Sequence, residues 1–396
     1  MAKARAKKCE ILVINQIAQV GLKRFPAEDY VLVKEAKDPQ AILVRSADLH
    51  KYEFGPSLRA VGRAGAGVNN IPVAALSKRG VPVFNAPGAN ANAVKELVIA
   101  GMLIAARNLA PALDFCRNLK NEDLEKTVEE GKKQFAGSEL PGHMLGVIGL
   151  GKIGSLVADA ALRLGMQVQG FDPHITVEAA WSLSSRVKRA ASIEELIRSS
   201  HFVSLHVPLV DKTRHLINGK NVELFRSGAV LLNFSRDGIV AEDAVLKGLK
   251  SHHLKWYVTD FPTGDLLGHP GVIALPHLGA STREAEENCA IMVADQVRDY
   301  LEHGNLQNAV NFPEAAMARE APYRVAIANA NVPDMLGRIS HALGRRKINI
   351  HNMLNKSKGE MAYTLVDADS PVPAEAIKEL AELNGVLAVR YLPVDV

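Results

Sequence analysis

Three glycines, Gly149, Gly151 and Gly154, lie between an apolar run that predicts a strand and a run that predicts a helix. In such an elbow the first glycine allows a tight turn, the second leaves room for a pyrophosphate, and the third lets the helix pack closely on the strand. The helix start offers free N–H donors and a positive dipole end to phosphate oxygens. The spacing therefore predicts a dinucleotide-binding elbow, with a plain turn and helix cap as the alternative.

An acidic residue, Asp172, stands 23 residues after Gly149, at the end of a second apolar run. A carboxylate at this distance accepts hydrogen bonds from both hydroxyls of an adenosine ribose. Its negative charge would also repel the additional phosphate of NADP. Together with the elbow, Asp172 predicts NAD as the cofactor.

The composition argues against several other classes of function. The 396 residues, 47% of them hydrophobic, leave room for two or three domains, and the net charge of +4 is spread along the chain, which does not indicate nucleic-acid binding. No window reaches the roughly eighteen apolar residues of a membrane span, and the basic start MAKARAKK is predicted to be a solvated tail. Because Cys9, Cys116 and Cys289 are far apart, we expect reduced thiols in the cytoplasm, no disulfide and no metal site.

Strand-like apolar runs alternate with helix-length connections in two series, one before residue 90 and one between residues 145 and 275. Such alternation predicts two Rossmann-like α/β lobes with doubly wound parallel sheets, and the second lobe carries the elbow. The segment 91–116 predicts one long buried helix joining the lobes, and a second long helix is predicted from Ser281 to Gly304. After a predicted linker at 311–322, the pattern from Tyr323 predicts a βαββαβ unit.

Six motifs along the chain resemble those of the D-2-hydroxyacid dehydrogenases. They are GRAGAGVNNI (62–71), VFNAPGANANAVKELVI (83–99), ELPGHMLGVIGLGKIG (139–154), SLHVPL (204–209), LLNFSRDGIV (231–240) and PHLGAST (276–282). The resemblance covers almost the whole chain. It implies a discontinuous substrate-binding domain at 1–92 and 285–312, a Rossmann NAD-binding domain at 93–284 and a C-terminal ACT-like regulatory domain at 323–396.

The resemblance implies roles for a histidine and an arginine in hydride transfer. His277, in PHLG, would take the hydroxyl proton as the hydride leaves, since imidazole titrates near working pH. Arg236 would hold the substrate carboxylate, because a guanidinium is always charged and forks toward paired oxygens. The chain has Asp237 after this arginine where the family usually has glycine. Without the motifs, His277 would be interpreted as a surface or capping histidine and Arg236 as part of a structural ion pair.

The third member of the family's catalytic set is a glutamate that keeps the histidine protonated and oriented, and here the chain departs from the pattern. Aligning the FPT of DFPTGD puts Gly264 at the glutamate position, whereas aligning the preceding aspartate puts Asp265 there. Asp265 is the candidate acid. If neither Asp265 nor Asp260 reaches His277, the histidine lacks the upward pKa shift that a carboxylate provides.

The resemblance also identifies residues expected to line the two ligands. Arginines at strand ends suit the substrate phosphate, and small residues let the backbone approach the carboxylate closely. The expected substrate contacts are Arg45, Ser46, Arg63, Gly65, Ala66 and Gly67. The expected NAD contacts are Gly149, Gly151, Lys152, Ile153, Gly154, Asp172, Val207, Pro208, Phe234, Ser235 and Asp260.

Within the family, VRSADL, VGRAGAGVNN and the ACT-like tail are similar to the branch that oxidises 3-phospho-D-glycerate to 3-phosphooxypyruvate with NAD, in serine biosynthesis. Two other functions stay open. A glyoxylate or hydroxypyruvate reductase would share His277 and Arg236 but would not need cations for a phosphate. A non-catalytic NAD-sensing corepressor on the same fold would keep the elbow and could lose the acid partner.

The ACT-like tail resembles modules that bind small amino acids between two copies, which implies L-serine as an effector and a homodimer or homotetramer. Asn331 and Asn349 match the family's effector-contacting asparagines. Asn329 stands where a serine-sensitive relative has histidine, and Asp334 replaces a glycine and would repel a ligand carboxylate. The alternative is a structural unit that forms dimers through an open edge strand.

Overall fold

The computed structural model describes residues 8–120 and 123–394. They form two compact units, one comprising Met1–Asn90 and Glu286–Val396 and the other comprising Ala91–Ala285. Each unit contains one parallel sheet, and the first unit also contains a small antiparallel sheet. The predicted α/β fold class is therefore confirmed.

Five parallel strands form the sheet at the start of the first unit. They are β1 (Cys9–Ile14), β2 (Tyr30–Val33), β3 (Ala41–Val44), β4 (Ala60–Arg63) and β5 (Val83–Phe84), and the short helices α1 (Gln19–Leu22) and α2 (Val73–Lys78) lie between them in sequence. The spatial order is β2-β1-β3-β4-β5. The central strand β3 is apolar and buried at every position, as expected for a parallel sheet covered on both faces.

Seven parallel strands form the sheet of the second unit. They are β6 (Met144–Ile148), β7 (Gln167–Phe171), β8 (Val187–Arg189), β9 (Phe202–Leu205), β10 (Ala229–Asn233), β11 (Leu254–Thr259) and β12 (Val272–Ala274), in the order β12-β11-β10-β9-β6-β7-β8. The chain runs outward from β6 through β7 to β8 and then outward from β9 on the other side. This reversal places a crevice at the carboxyl ends of β6 and β9, where α/β proteins bind ligands.

Among the described residues of the second unit, seven α-helices are present. They are α3 (Ala91–Ala106), α4 (Leu109–Arg117), α5 (Leu124–Gly131), α6 (Lys152–Arg163), α7 (Val177–Ser182), α8 (Ile193–Ser199) and α9 (Glu242–Lys250). Helix α3 and strands β6, β9, β10 and β11 contribute to one apolar core that includes Val98, Met102 and Val147. Those side chains fix the strands whose carboxyl ends carry the predicted NAD-binding residues.

Two edge strands, β2 and β8, were not predicted from the sequence. Strand β2 has the sequence YVLV, but Val31 and Leu32 are exposed. Strand β8 has only three residues, VKR, and its last two are exposed. Both strands lie at sheet edges and pair on one side only, so their burial pattern lacks the regularity on which a sequence-based prediction depends.

The prediction of one long buried helix over 91–116 was wrong. The helix breaks at Asn108, whose φ of 51° is left-handed, and α4 continues with no buried residue. The Asn108 side chain stabilises the break, because its Nδ2 donates to the carbonyl of Ala136 at 3.0 Å and its Oδ1 accepts from Trp256 Nε1 at 3.3 Å. In the described part of the chain no single helix meets the length and hydropathy of a membrane span; α3 and α4, bent by 69°, meet them only as a pair, on length and composition alone.

The second long helix, α10 (Arg283–His303), is confirmed close to its predicted bounds. The Oγ1 of Thr282 accepts from the N–H of Ala285 at 3.1 Å and so caps its start. Gly304, with a φ of 75°, follows its end. Val293 and Val297 pack so closely on β4 that a Cβ at Gly62 would lie 2.7 to 2.8 Å from their methyl groups.

The C-terminal βαββαβ order is confirmed in the first unit. Strand β13 (Tyr323–Ala330), helix α11 (Met335–Gly344), strands β14 (Ile350–Lys358) and β15 (Met361–Ala368), helix α12 (Ala374–Glu382) and strand β16 (Val386–Pro393) follow one another. The four strands form an antiparallel sheet in the order β14-β15-β13-β16. Strands β14 and β16 are therefore its two edges.

The segment 311–322 was predicted to be a linker, but it is packed. Phe312, Ala315 and Met317 are buried, and they share a core with Tyr300 of α10 and with Tyr363 of β15. The same core contains Ala326 and Ala328, which lie on the face of the antiparallel sheet opposite the cluster formed by α11 and α12. The C-terminal sheet is therefore joined to the rest of the first unit by a continuous apolar core.

A buried ion pair stabilises this junction. Arg324 and Asp367 are both 0% exposed, and Arg324 donates from Nε to Oδ1 at 2.6 Å and from Nη2 to Oδ2 at 2.8 Å. The remaining donors of Arg324 reach the carbonyls of Met317 and Ala318, both at 2.9 Å, and that of His303 at 3.1 Å. The pair thus holds the segment before β13 against β13 and β15.

Replacing Arg324 by methionine should lower the free energy of unfolding by about 3–5 kcal/mol, because Asp367 would stay buried without its partner. Urea unfolding of the full chain measures the change. The control is Arg345→Met, which removes an exposed ion pair to Glu379 and should cost about 1 kcal/mol or less. Equal losses in the two variants would contradict the role assigned to the buried pair.

Candidate active site

The predicted NAD-binding and catalytic residues of the second unit follow six neighbouring strands of one parallel sheet. Because parallel strands end at the same edge, their following loops meet there. The strands are β12, β11, β10, β9, β6 and β7. Asp172 follows the last of them, β7. The residues that follow them are His277 after β12, Asp260 after β11, Phe234 to Arg236 after β10, Val207 and Pro208 after β9, and Gly149 to Gly154 after β6.

The glycine elbow has the geometry that a pyrophosphate requires. Gly149 has a φ of 90°, and a Cβ there would lie 2.4 Å from the carbonyl oxygen of His206. A Cβ at Gly154 would lie 1.9 Å from the carbonyl oxygen of Gly149, so only glycine lets α6 approach the turn this closely. Around Gly151 nothing lies within 4 Å of an added Cβ, which leaves space on the side where a phosphate would bind.

Helix α6 begins without a side-chain cap. Its N-cap residue is Gly151, which has no side chain to accept from the N–H groups of the first turn. Lys152, Ile153 and Gly154 form that turn, so their backbone N–H groups point along the positive end of the helix dipole. Both features fit the phosphates of NAD.

Asp172 lies beside the elbow and is held by two backbone donors. Its Oδ2 accepts from the N–H of Leu150 and its Oδ1 accepts from the N–H of His174, both at 2.9 Å. These bonds fix the carboxylate next to the glycine turn, and each oxygen keeps capacity for a further donor. The structure therefore brings the predicted phosphate and ribose positions together.

Sequence reasoning missed His206, whose backbone supports the elbow. Its Nε2 lies 2.9 Å from Ser204 Oγ, and burial of the ring lowers the pKa of His206 to about 4. At neutral pH the ring is therefore uncharged and acts as part of the scaffold. Its position directly before Val207 and Pro208 in SLHVPL was the available sequence signal, but nothing in that motif distinguishes a supporting histidine from a reactive one.

The loop after β10 positions Arg236 through Asn233, which sequence reasoning also missed. Asn233 is buried, its Nδ2 donates to the carbonyl of Arg236 at 3.0 Å, and its Oδ1 accepts from the N–H of Ser235 at 3.2 Å. The Oγ of Ser235 donates to the carbonyl of Leu205 in β9, which ties the loop to the next strand. Phe234 is buried in the core that contains α3.

The guanidinium of Arg236 is exposed and carries an unbalanced charge. Its Nη1 donates to the carbonyl of Ser235 at 2.6 Å, and no carboxylate of the described residues lies within 4.0 Å of it. Asp237, the departure from the family pattern, accepts from the N–H of Gly238 at 2.8 Å and so stabilises its own turn. Arg236 is thus available to an anionic substrate.

His277 is held in a left-handed backbone conformation, with a φ of 57°. Its N–H lies 3.1 Å from the carbonyl of Asp260 and 3.0 Å from that of Leu275. Its ring packs against Phe261 in an edge arrangement, with centroids 4.9 Å apart. Left-handed non-glycine residues are uncommon and persist where the surroundings hold them, often at functional sites.

Asp260 supplies that constraint. It is 1% exposed, and its Oδ1 and Oδ2 accept from the N–H groups of Leu278 and Gly279 at 2.7 and 2.8 Å. With its carbonyl bound to His277, one residue at the end of β11 fixes the loop on both sides of the imidazole. Asp260 was predicted to line NAD; its observed hydrogen bonds go to the histidine loop.

The acid partner of His277 is not assembled in the structure. Asp265 is exposed, and across residues 8–120 and 123–394 no carboxylate oxygen lies within 4.0 Å of the His277 ring nitrogens. Gly264, the alternative alignment, has open space around it. The pairing of Asp265 with His277 remains a prediction.

The predicted substrate cations lie together in the first unit. Arg45 Nη2 forms an ion pair with Glu286 Oε1 at 2.6 Å, and Arg63 Nε donates to Asn70 Oδ1 at 2.9 Å. The pKa of Cys289 is raised, chiefly by burial, while the charges of Arg45 and Arg63 oppose that rise, so both guanidinium groups are close to it. Part of the charge of Arg45 is therefore balanced by Glu286.

The small residues beside them form a compact turn after β4. A Cβ at Gly65 would lie 2.5 Å from Arg63 Nη1, so the absent side chain makes room for the arginine. Asn85 Nδ2 donates to the carbonyl of Ala66 at 2.5 Å, and Asn15 Oδ1 accepts from the N–H of Ser46 at 3.2 Å. Neighbouring asparagines thus bind the backbone of Ser46 and Ala66, and the carbonyl of Gly65 accepts from the N–H of Ala86 at 2.9 Å.

Comparison with known proteins agrees with this architecture. Residues 99–279 match the model of the D-isomer specific 2-hydroxyacid dehydrogenase NAD binding domain. A parallel sheet of this topology with a glycine elbow is the fold of dinucleotide-binding α/β domains, and the matched family makes the protein an NAD-dependent oxidoreductase. The chain belongs to the D-isomer specific 2-hydroxyacid dehydrogenase family, and NAD is its cofactor.

Relatives within that family match most of the chain. The D-3-phosphoglycerate dehydrogenase of Haemophilus influenzae is 32% identical over 414 aligned positions, covering 97% of each chain. That of Methanocaldococcus jannaschii is 36% identical over 341 positions, covering 83% of this chain, which spans only 62% of that relative. The NAD+-bound 3-phosphoglycerate dehydrogenase structure from Entamoeba histolytica is 26% identical, with a TM-score of 0.60, and covers 77% of this chain and 99% of its own.

Replacing Asp172 by asparagine should weaken NAD binding about ten- to a hundredfold, because a hydrogen bond to a charged group contributes roughly 1.5–3 kcal/mol. The preference for NAD over NADP should fall as well, since the repelling charge is removed. Fluorescence titration with NADH and NADPH measures both effects.

The control for this variant is Asp159→Asn on α6, which removes an exposed carboxylate paired with Arg163. It should leave both dissociation constants within about twofold, since exposed pairs contribute little. NADH affinity that is equal in the two variants would contradict the role assigned to Asp172.

Proposed function

We propose that the protein oxidises 3-phospho-D-glycerate to 3-phosphooxypyruvate with NAD, as the first step of L-serine biosynthesis. The observation that carries this proposal is the alignment with a D-3-phosphoglycerate dehydrogenase over 97% of both chains. The exposed Arg236 and the constrained His277 at one sheet edge support it. The proposed organisation is a substrate-binding domain at 1–92 and 285–312, an NAD-binding domain at 93–284 and a regulatory domain at 323–396.

In the proposed reaction Arg236 binds the substrate carboxylate and orients the C2 hydroxyl toward His277. The neutral imidazole takes the hydroxyl proton as the C2–H bond breaks, and it becomes positively charged. NAD, when bound, accepts the hydride. The electron pair of the O–H bond then forms the carbonyl of the product, and the proton held on His277 returns to solvent.

The phosphate of the substrate is assigned to Arg45 and Arg63, with Ser46 beside them and the turn of Gly65, Ala66 and Gly67 as carboxylate donors. Arg45 already pairs with Glu286, so substrate would have to share its guanidinium with that carboxylate. A guanidinium has five N–H donors, and Arg45 uses one of them in this pair. Arg45 therefore keeps N–H donors for the substrate phosphate while it is paired with Glu286.

Asp265 is retained as the proposed acid partner of His277. If the Asp265 carboxylate approached His277, it would raise the pKa of the imidazole. The rate of the reverse reaction, the reduction of 3-phosphooxypyruvate, would then be maintained to higher pH. In the Asp265→Asn variant, the rate of the reductive reaction should therefore fall at a lower pH than in the wild-type protein. An unchanged profile would remove Asp265 from the catalytic set.

We propose that L-serine regulates the protein by binding to the C-terminal βαββαβ segment, at Asn331 and Asn349. Both are exposed, and they donate to the carbonyl of Gly359 and to the carboxylate of Asp369. Asn329 does not suit this role, because it is 0% exposed within β13. Asp334 occupies a left-handed position with a φ of 61°, which explains why glycine is the usual residue there and leaves a carboxylate in the turn.

Assembly and location belong to the same proposal. We propose a homodimer or homotetramer, for which the edge strands of the C-terminal sheet offer unpaired backbone groups. The three cysteines, Cys9, Cys116 and Cys289, are unpaired thiols, which supports a reducing compartment such as the cytoplasm.

The test is NADH formation from 3-phospho-D-glycerate at alkaline pH, with removal of the product and with or without L-serine. The wild-type protein should turn over this substrate, and His277→Gln should lower kcat about 10²- to 10⁴-fold, because the proton acceptor is lost. The control His341→Gln changes an exposed histidine on α11 and should keep full activity.

Each alternative function gives a different result in this assay. A glyoxylate or hydroxypyruvate reductase would reduce unphosphorylated hydroxypyruvate with little loss relative to the phosphorylated product. A corepressor would bind NAD without any turnover. Turnover that L-serine does not affect would keep the enzyme and remove the effector from the proposal.

A further inference from the structure

A cavity of about 690 Å³ lies within the first unit, where edge strand β16 runs beside the connections of the first parallel sheet. Residues 56–59 and 79–81 form one wall, and residues 387–391 of β16 form the other, with Tyr300 of α10 at its side. None of the residues assigned to substrate or NAD lines it. The cavity is therefore distinct from the proposed substrate and NAD sites.

The cavity is positively charged. Arg59, Arg79 and Arg390 line it, and no aspartate or glutamate is among its lining residues. The pKa of Arg59 is lowered, first by burial and then by the charge of Arg390, so these two guanidinium groups are close enough to repel each other. Placing like charges together costs free energy unless an anion compensates them.

Two of the three arginines already use some of their N–H donors in hydrogen bonds to backbone carbonyls. Arg390 donates to the carbonyls of Tyr300 and Leu301, both at 2.7 Å, and its guanidinium stacks on the Tyr300 ring at 4.5 Å. Its Nε is nevertheless buried without a hydrogen-bond partner in the described structure. Arg79 donates to the carbonyls of Phe54 and Gly55 and keeps further N–H donors.

Arg59 is the arginine of the cavity that is exposed and has no ion-pair partner in the described structure. Among residues 8–120 and 123–394, no carboxylate lies within 4.0 Å of its guanidinium and no hydrogen-bond acceptor pairs with it. Asp38 binds Ser57, since its carboxylate accepts from both the N–H and the Oγ of Ser57 at 2.8 Å. Five N–H donors are therefore available at Arg59.

The backbone also contributes to the cavity. Strand β16 is an edge of the C-terminal sheet, so alternate N–H groups along it face away from the neighbouring strand. Gly80, with a φ of 69°, brings the opposite wall close, because a Cβ there would lie 2.7 Å from that of Ala388. The fold therefore places backbone donors and guanidinium groups around one space.

We infer that this cavity binds a small oxyanion, a phosphate or carboxylate group of a metabolite, through Arg59 and Arg79 with Arg390 behind them. Such an anion would connect β16 of the C-terminal sheet to the connections before and after β4. It would stabilise the junction between the two sheets of the first unit. The C-terminal βαββαβ segment would then have a ligand that differs from an amino-acid effector. The inference is independent of the proposed reaction.

The test is hydrogen exchange of the full chain, measured by mass spectrometry in inorganic phosphate, malonate or chloride at equal ionic strength. At an oxyanion concentration of about ten times its Kd, exchange in β16 and in residues 54–59 should slow about tenfold relative to chloride. Slowing in phosphate alone would indicate a phosphorylated ligand, and slowing in malonate as well would indicate oxyanions in general. Binding at the proposed substrate site would instead affect peptides around Arg45 and Arg63.

The variant Arg59→Gln should remove the slowing in β16, whereas Arg107→Gln, which removes an exposed arginine of the second unit, should retain it. Exchange in chloride should be the same for both variants, which shows that the fold is intact. Equal exchange of the wild-type protein in oxyanion and chloride would overturn the inference. Retention of the full slowing in Arg59→Gln would overturn it as well.

Discussion

The candidate active-site edge of the second unit depends on the carboxylate of Asp260. This side chain is buried, and its two oxygens hold the N–H groups of Leu278 and Gly279 while its carbonyl accepts from His277. The two backbone hydrogen bonds replace the hydration that the buried carboxylate loses. The same bonds keep His277 in a left-handed conformation that a histidine would otherwise rarely adopt. The position of the imidazole is thus set by the end of the neighbouring strand.

Much of the architecture could be predicted because local patterns specify it. The glycine spacing at 149–154 and Asp172 identified the elbow, and the C-terminal alternation identified a βαββαβ unit. The supporting residues could not be predicted, since His206 and Asn233 act through contacts with other strands. The break at Asn108 and the burial of Phe312 and Met317 also depend on partners distant in sequence.

The C-terminal sheet packs on the rest of the first unit. One core joins Tyr363 and Ala328 to α10, and the Arg324–Asp367 pair secures the segment that precedes β13. The cavity beside β16 lies along the same junction. A ligand that changes the stability of this junction would therefore act on the unit that also holds Arg45 and Arg63.

The most direct test of Asp260 as a positioning residue compares kcat with NAD affinity in Asp260→Asn. The amide cannot accept both N–H bonds, so kcat with 3-phospho-D-glycerate should fall about ten- to a hundredfold while the Kd for NADH stays within about threefold. Asp114→Asn, an exposed carboxylate on α4, serves as the control. An unchanged kcat, or a loss of NADH affinity as large as the loss of kcat, would contradict the account and favour a role for Asp260 in binding the cofactor.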